Sequence, residues 1–135
     1  MNCLSKYAHS QYHYPMATRA IRGAIQIPAD SESEIIAGVG QLLSAIMEAN
    51  QLQLDSVISV FLTSTPDLTA AFPAVGAREV GFTQIPLMCA SEIDVKGALE
   101  RVIRVMLHVE SELKADEISH IYLGGAQALR RDIAQ

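Results

Sequence analysis

Tryptophan is absent from the chain, and aromatic residues amount to only 5% of it, four tyrosines and three phenylalanines. A core built from this sequence is therefore aliphatic and small. Cysteine is nearly as scarce: Cys3 and Cys89 are the only two. Two thiols make no disulfide framework, which points to a reducing, cytoplasmic home. No apolar run approaches the ~18 residues that a membrane-spanning helix needs, so no membrane partner is expected. Residues 1–15, MNCLSKYAHSQYHYP, hold no apolar stretch of the signal-peptide kind. Positive charge is also short, with ten Lys and Arg against fifteen Asp and Glu, a net −5 at pH 7. General nucleic-acid binding needs a basic face, and this balance argues against it. Ser-His-Asp, zinc-ligand and phosphate-loop patterns do not occur, and no metal site is assigned.

What remains is a chain of 135 residues, half of them hydrophobic, enough for one domain with a real core but not for two. Residues 1–15 are polar and aperiodic and read as a flexible N-terminal extension, with the domain proper over 16–135. His9 and His13 stand at a helical metal-ligand spacing, but a solvated tail explains them as well. Met16 is a second candidate start of translation.

Residues 18–28 alternate and read as a strand that stops at Pro28. Ser31-x-x-Glu34, after Asp30, is a capping-box pattern. Ile35, Ile36, Val39, Leu42, Leu43, Ile46 and Met47 then form one helical stripe, which predicts a long helix ending near Asn50. Gly38 and Gly40 each cost it about 1 kcal/mol, a cost that close approach to a sheet would explain. Residues 56–64, SVISVFLTS, read as a buried strand, followed by a turn at Thr65-Pro66-Asp67. Pro73 opens a short helix to about Val80. Residues 83–89 read as a strand, with Pro86 marking an edge or bulge. Residues 97–111 fit a helix and a strand equally well. Residues 117–123 and 126–131 read as strand material broken by Gly124-Gly125. One long helix against several strands is an α+β pattern.

Three arginines lie on stretches read as strands: Arg22 in RAIRGAIQI, Arg104 in ERVIRVMLHVE and Arg130 in IYLGGAQALRR. A cation on a half-buried, pleated surface is costly unless an anion meets it. Guanidinium forks suit carboxylates and phosphates. On an acidic protein such a site has to be a local focus of positive charge.

Four segments, in order and at matching spacing from Ala17 to Arg131, resemble the AroH class of monofunctional chorismate mutase. They are Arg19-Ala-Ile-Arg22-Gly-Ala, then Ser64-Thr-Pro-Asp-Leu-Thr-Ala-Ala-Phe72-Pro-Ala, then Pro86-Leu-Met-Cys89-Ala-Ser-Glu92-Ile-Asp-Val, and Val102-Ile-Arg104-Val-Met with His120-Ile-Tyr122-Leu. The resemblance implies a mixed β-sheet packed on one long helix, three copies of which form a trimeric pseudo α/β-barrel with active sites at the subunit junctions. It also makes the stretch around Arg104 a strand. The implied activity is the [3,3] Claisen rearrangement of chorismate to prephenate, in phenylalanine and tyrosine biosynthesis, with no cofactor.

By the same resemblance Arg104 is the cation beside the breaking ether link, and Glu92 and Cys89 meet the ring hydroxyl. Arg22 and Tyr122 bind a substrate carboxylate. Phe72 and Ala74 are pocket-wall residues supplied by a neighbouring subunit, and Leu129 is an apolar wall position. Arg78 and Arg130 lie near the mouth. Two positions depart from the family pattern: Val75 stands where a lysine is frequent, and Met88 where a threonine is common. Both bear on substrate affinity more than on turnover. The residues themselves leave rival roles open: an ion pair with Glu92 for Arg104, plain core for Phe72, and an inert thiol for Cys89. His108 and His120 receive no catalytic role, because the rearrangement transfers no proton. Two other functions are weighed against the mutase: a silent trimer that binds small anions, and an imine or enamine deaminase of similar trimeric fold.

Overall fold

A computed structural model describes residues 15–130; the segment read as an extension lies outside them but for Pro15. Five strands form one mixed sheet: β1 (Ala17–Gln26), β2 (Val57–Ser64), β3 (Leu87–Ser91), β4 (Val102–Ser111) and β5 (Ile121–Leu123). Their spatial order is β3-β2-β4-β1-β5. The central β4 runs antiparallel to β1 and β2, while β3 lies parallel to β2 and β5 parallel to β1. A long helix, α1 (Glu32–Ala49), and a short one, α2 (Pro73–Glu79), complete the α+β fold.

Helix α1 begins where its cap dictates. Ser31 holds an extended backbone, and its Oγ accepts the Glu34 N–H at 3.2 Å. The predicted apolar stripe is the buried face: Ile35, Val39, Leu42, Leu43 and Ile46 are fully enclosed. They meet Ile21 and Ile25 of β1, Val60 and Leu62 of β2, and Ile103, Val105 and Leu107 of β4. Gly38 explains its own cost, since a Cβ there would lie 2.5 Å from Ile27 Cγ2. The helix can sit that close to the end of β1 only without a side chain. The core is aliphatic as expected, with Phe82 as its one buried phenylalanine.

Strict alternation along β4 divides the sheet into two faces. Ile103, Val105, Leu107 and Val109 point to α1 and are buried, while Arg104 and Met106 are exposed on the opposite face. The tie over residues 97–111 is thus resolved as a strand from Val102 onward. Residues 92–101 form a loop, in which Gly97 and Arg101 take positive φ.

Three expectations need correction. The strand predicted over 83–89 is displaced to Leu87–Ser91. Gly81 turns the chain at φ 102°, and pairing starts only where the Pro86 carbonyl accepts the Val60 N–H at 3.0 Å. Proline brings no donor of its own, and β3 does lie at a sheet edge. The second strand is far shorter than 117–123, with only Ile121–Leu123 paired. Last, no strand forms over 126–130, the described part of the predicted 126–131. Gly124–Leu129 forms a 3-10 segment, so Arg130 follows a helical turn. Gly124 at φ 59° swings the chain off the ladder just where β1 runs out of rungs at Gln26. Gly125 then packs on the Gln26 side chain so closely that a Cβ would fall 1.8 Å from its Oε1.

Candidate active site

The outer face of the sheet gathers several of the predicted site residues. Cross-strand register places Thr63, Arg104, Ala24 and Tyr122 in one row across β2, β4, β1 and β5. Ala24, between the arginine and the tyrosine, is itself fully buried, covered by Val102, Tyr122 and Ala126. The next row brings Phe61, Met106 and Arg22 alongside. All of these but Ala24 line a cleft of about 230 Å³, to which Arg130 adds a side from beyond the 3-10 segment. Three of the arginines singled out from sequence therefore converge on one cleft, although only two stand on strands.

Glu92 is brought in by the loop after β3. Its N–H donates to the Ser64 carbonyl at 2.9 Å, extending the β2–β3 pairing by one rung. Its Oε1 then takes the Arg104 Nε at 2.6 Å and the Thr63 hydroxyl at 3.1 Å. The Glu92 side chain is 16% exposed and that of Arg104 49%. The carboxylate is thus the enclosed, fixed partner and the guanidinium its projecting end. With Nε committed to Glu92, the orientation of the guanidinium plane is set.

Tyr122 is buried, in a small cluster with Ala24, Val102 and Ala126, against which Leu129 packs. His120, two residues earlier, accepts the Arg22 backbone N–H on Nδ1 at 3.0 Å. Burial, and then the charges of Arg22 and Arg130, hold its imidazole below its ordinary pKa.

The remaining predicted residues lie elsewhere. Cys89 pairs with Leu62 and shares its helix-facing side, packing partly against the core. It is a free thiol, and with Phe72, Pro66 and Ser91 it lines a second cleft of about 520 Å³. Within one chain Cys89 is therefore not brought to Arg104. Phe72 is 73% exposed, which rules out the core reading for it. Ala74 is buried in the first turn of α2, and Arg78 is exposed in its last. Met88 is exposed beside Phe61 on the outer face. Of the cleft's lining, Phe61, Thr63 and Met106 went unread in the sequence, and so did the contact of His120, just outside it, with Arg22. Thr63 had a signal, being the outward position of β2 opposite Arg104 once the register is known. Among the described residues no group of three or more His, Cys, Asp or Glu stands together to hold a metal. None of the described helices is long and apolar enough to cross a membrane.

Comparison with known proteins identifies the family. The family model "Chorismate mutase type I" matches residues 18–133. The chain is 41% identical over 120 residues to chorismate mutase AroH of Bacillus subtilis, covering 88% of this chain and 94% of the relative. It is 40% identical over 116 residues to chorismate mutase AroH of Thermus thermophilus, covering 85% and 95%. Among solved structures, a chorismate mutase from Clostridium thermocellum superposes with a TM-score of 0.80 at 46% identity, over 82% of this chain and 98% of that one. A match along nearly the whole length of sequence and fold, with Arg22, Glu92, Arg104 and Tyr122 gathered on one face of the sheet, places the chain in the type I chorismate mutase family.

Proposed function

We propose that the chain converts chorismate to prephenate by a [3,3] rearrangement, with Arg104 as its central catalytic group. The observation that carries this reading is the Arg104–Glu92 pair at 2.6 Å, set at the edge of a cleft that Arg22, Tyr122 and Arg130 also line. In the reaction one C–O bond breaks and one C–C bond forms within a single molecule. No proton, electron or leaving group is exchanged with the protein. Catalysis then consists of holding the reactive conformer and answering the negative charge that grows on the ether oxygen.

Each side chain has a part in that scheme. Arg104, its Nε held by Glu92, directs its remaining N–H groups to the ether oxygen. Arg22 and the Tyr122 hydroxyl bind a carboxylate, and Arg130 adds positive charge at the mouth. Glu92, an acceptor on both oxygens, takes the ring hydroxyl while it keeps Arg104 in place. Thr63 restrains Glu92 from the other side.

We further infer that the working unit is a homotrimer. At about 230 Å³ the Arg104 cleft falls short of the ~300–1,000 Å³ usual for a small-molecule site. The outer face also exposes Phe61, Met88 and Met106, and Phe72 projects from the second cleft. A neighbouring copy that lays its Phe72 and Cys89 edge over this face would enlarge and close the pocket, and would bury the apolar side chains. The free thiol of Cys89 fits a cytoplasmic location.

The test is direct loss of chorismate absorbance on addition of purified protein, with and without Arg104→Ala. The expected loss of kcat is at least ~10²–10³-fold. Near-wild-type turnover by the variant would overturn the mechanism. No turnover by the wild type would favour the silent anion-binding trimer. Full activity in a species that sediments as a monomer would remove the shared site.

A further inference from the structure

The least secured part of the cleft is the strand that carries Tyr122. β5 has three residues and three rungs, Gly23↔Ile121, Ala24↔Tyr122 and Ile25↔Leu123, and it forms an edge of the sheet. So short a parallel pairing has little of its own to hold register. Two side chains outside the ladder supply the missing restraint. Asn50, buried at the end of α1, grips Ser119 twice: its Oδ1 accepts the Ser119 N–H at 2.8 Å, and its Nδ2 donates to the Ser119 carbonyl at 2.9 Å. The next residue is His120, whose Nδ1 accepts the Arg22 N–H at 3.0 Å. On its other side β1 pairs with β4, with Arg22 opposite Met106. The imidazole therefore stands where a further β5 carbonyl would have made a rung.

We propose that His120 is a positioning residue: its neutral imidazole, seated by the Asn50–Ser119 clamp, accepts the Arg22 N–H and so sets where Arg22 and Tyr122 meet a substrate carboxylate. The assignment of that carboxylate rests on the function proposed above. Only one protonation state serves. Nδ1 must be bare to accept, which puts the hydrogen on Nε2. A second proton would turn the acceptor into a donor aimed at a donor. It would also set a third positive charge beside Arg22 and Arg130, the charged groups that bear on the ring from β1 and from beyond the 3-10 segment. From α1 the contact is the uncharged Asn50, acting through Ser119.

The experiment compares wild type, His120→Asn and His120→Gln in steady-state kinetics with chorismate from about pH 5 to 7.5. An asparagine amide oxygen reaches the place of Nδ1 and does not titrate; a glutamine amide falls nearer to Nε2 and misses the Arg22 N–H. At the upper pH His120→Gln is expected to raise KM about fivefold, the scale of one lost hydrogen bond, with kcat within about twofold. The wild-type KM is expected to climb as pH falls below 6.5, the ordinary histidine value. In His120→Asn it should stay near the wild-type level and lose that climb, although His108 on β4 is still present. An acid limb that persists in His120→Asn, or a KM that is unmoved in His120→Gln, overturns the proposal. A readout free of substrate keeps it separate from the assigned reaction. Imidazole ¹⁵N shifts near pH 7 should show a bare Nδ1, and Arg22 amide exchange should quicken in His120→Gln but not in His120→Asn. Protonated Nδ1, or equal exchange in both variants, sinks the idea even if chorismate is turned over. No turnover of chorismate with the expected shifts and exchange would instead count against the reaction and leave the imidazole's role standing.

Discussion

The two faces of the sheet are built from the same strands, residue by alternate residue, yet they obey different rules. The inner face is closed: Ile21, Ile25, Leu62, Ile103 and Leu107 meet α1 with almost no exposed surface. The side chains that meet α1 there are apolar, and close packing is their whole purpose. The outer face is unfinished. It pairs charged groups such as Arg104 and Arg22 with soft apolar ones such as Met106 and Phe61, and most of them stay partly exposed. On the function proposed above, stability resides on one side of the sheet and chemistry on the other, separated by the thickness of a backbone. Substitutions on one face should then leave the property of the other intact.

The largest separation is expected from two truncations. Leu43→Ala opens a cavity under α1 and should cost about 2–5 kcal/mol of unfolding free energy, read by denaturant titration, with KM unchanged in the fraction that folds. Arg104→Ala should do the reverse, a collapse of kcat with a melting midpoint close to wild type, since its side chain is half in solvent. If both variants lose stability equally, the division of labour between the faces is wrong. A milder probe is Glu92→Gln. The amide still accepts from Arg104 but without charge, a loss of about 1.5 kcal/mol or more in the strength of that bond, so kcat should fall about tenfold or more. A change confined to KM would mean that Glu92 binds substrate without orienting Arg104.

The smallest effect lies where the faces join. Asp30, before α1, accepts the Thr69 N–H, the Ala70 N–H and the Thr69 hydroxyl, tying the helix start to the loop that presents Phe72. Desolvation is the largest single influence and raises its pKa. The three hydrogen bonds together outweigh it and hold the carboxyl below its ordinary 3.8. A depressed carboxyl contributes stability that is full above that ordinary value and is lost as pH falls through the folded one. The wild-type melting midpoint should therefore drop slightly more between pH 7 and pH 3 than that of Asp30→Asn. Identical pH slopes would show that this tie contributes nothing.

How much of this was legible beforehand depended on whether neighbours in sequence decide the matter. α1, α2, β1 and β2 were readable because a cap, a proline and a local hydrophobic period settle each of them. β3 was misplaced by four residues at its start, since nothing near Thr83 says that Gly81 turns and that Pro86 must come first. β5 and the 3-10 segment were read as longer strands, because their limit is the end of β1 nearly a hundred residues away. Arg22, Arg104 and Tyr122 were found through ordered motifs. Thr63 was not, because a threonine in an apolar strand announces no partner. Cys89, grouped with Glu92 by the family resemblance, is turned to the helix-facing side by the pleat.

The amino-acid order by itself settled the period of α1, β1 and β2, the aliphatic character of the core and the presence of arginines flanked by apolar residues. Those follow from one to four residues of chain geometry. Only the folded sheet decided that Thr63, Arg104, Ala24 and Tyr122 share a row, that Glu92 reaches back to Arg104, and that an imidazole completes β1. Such meetings depend on strand register, which is set by burying one whole face at once and is written in no single segment.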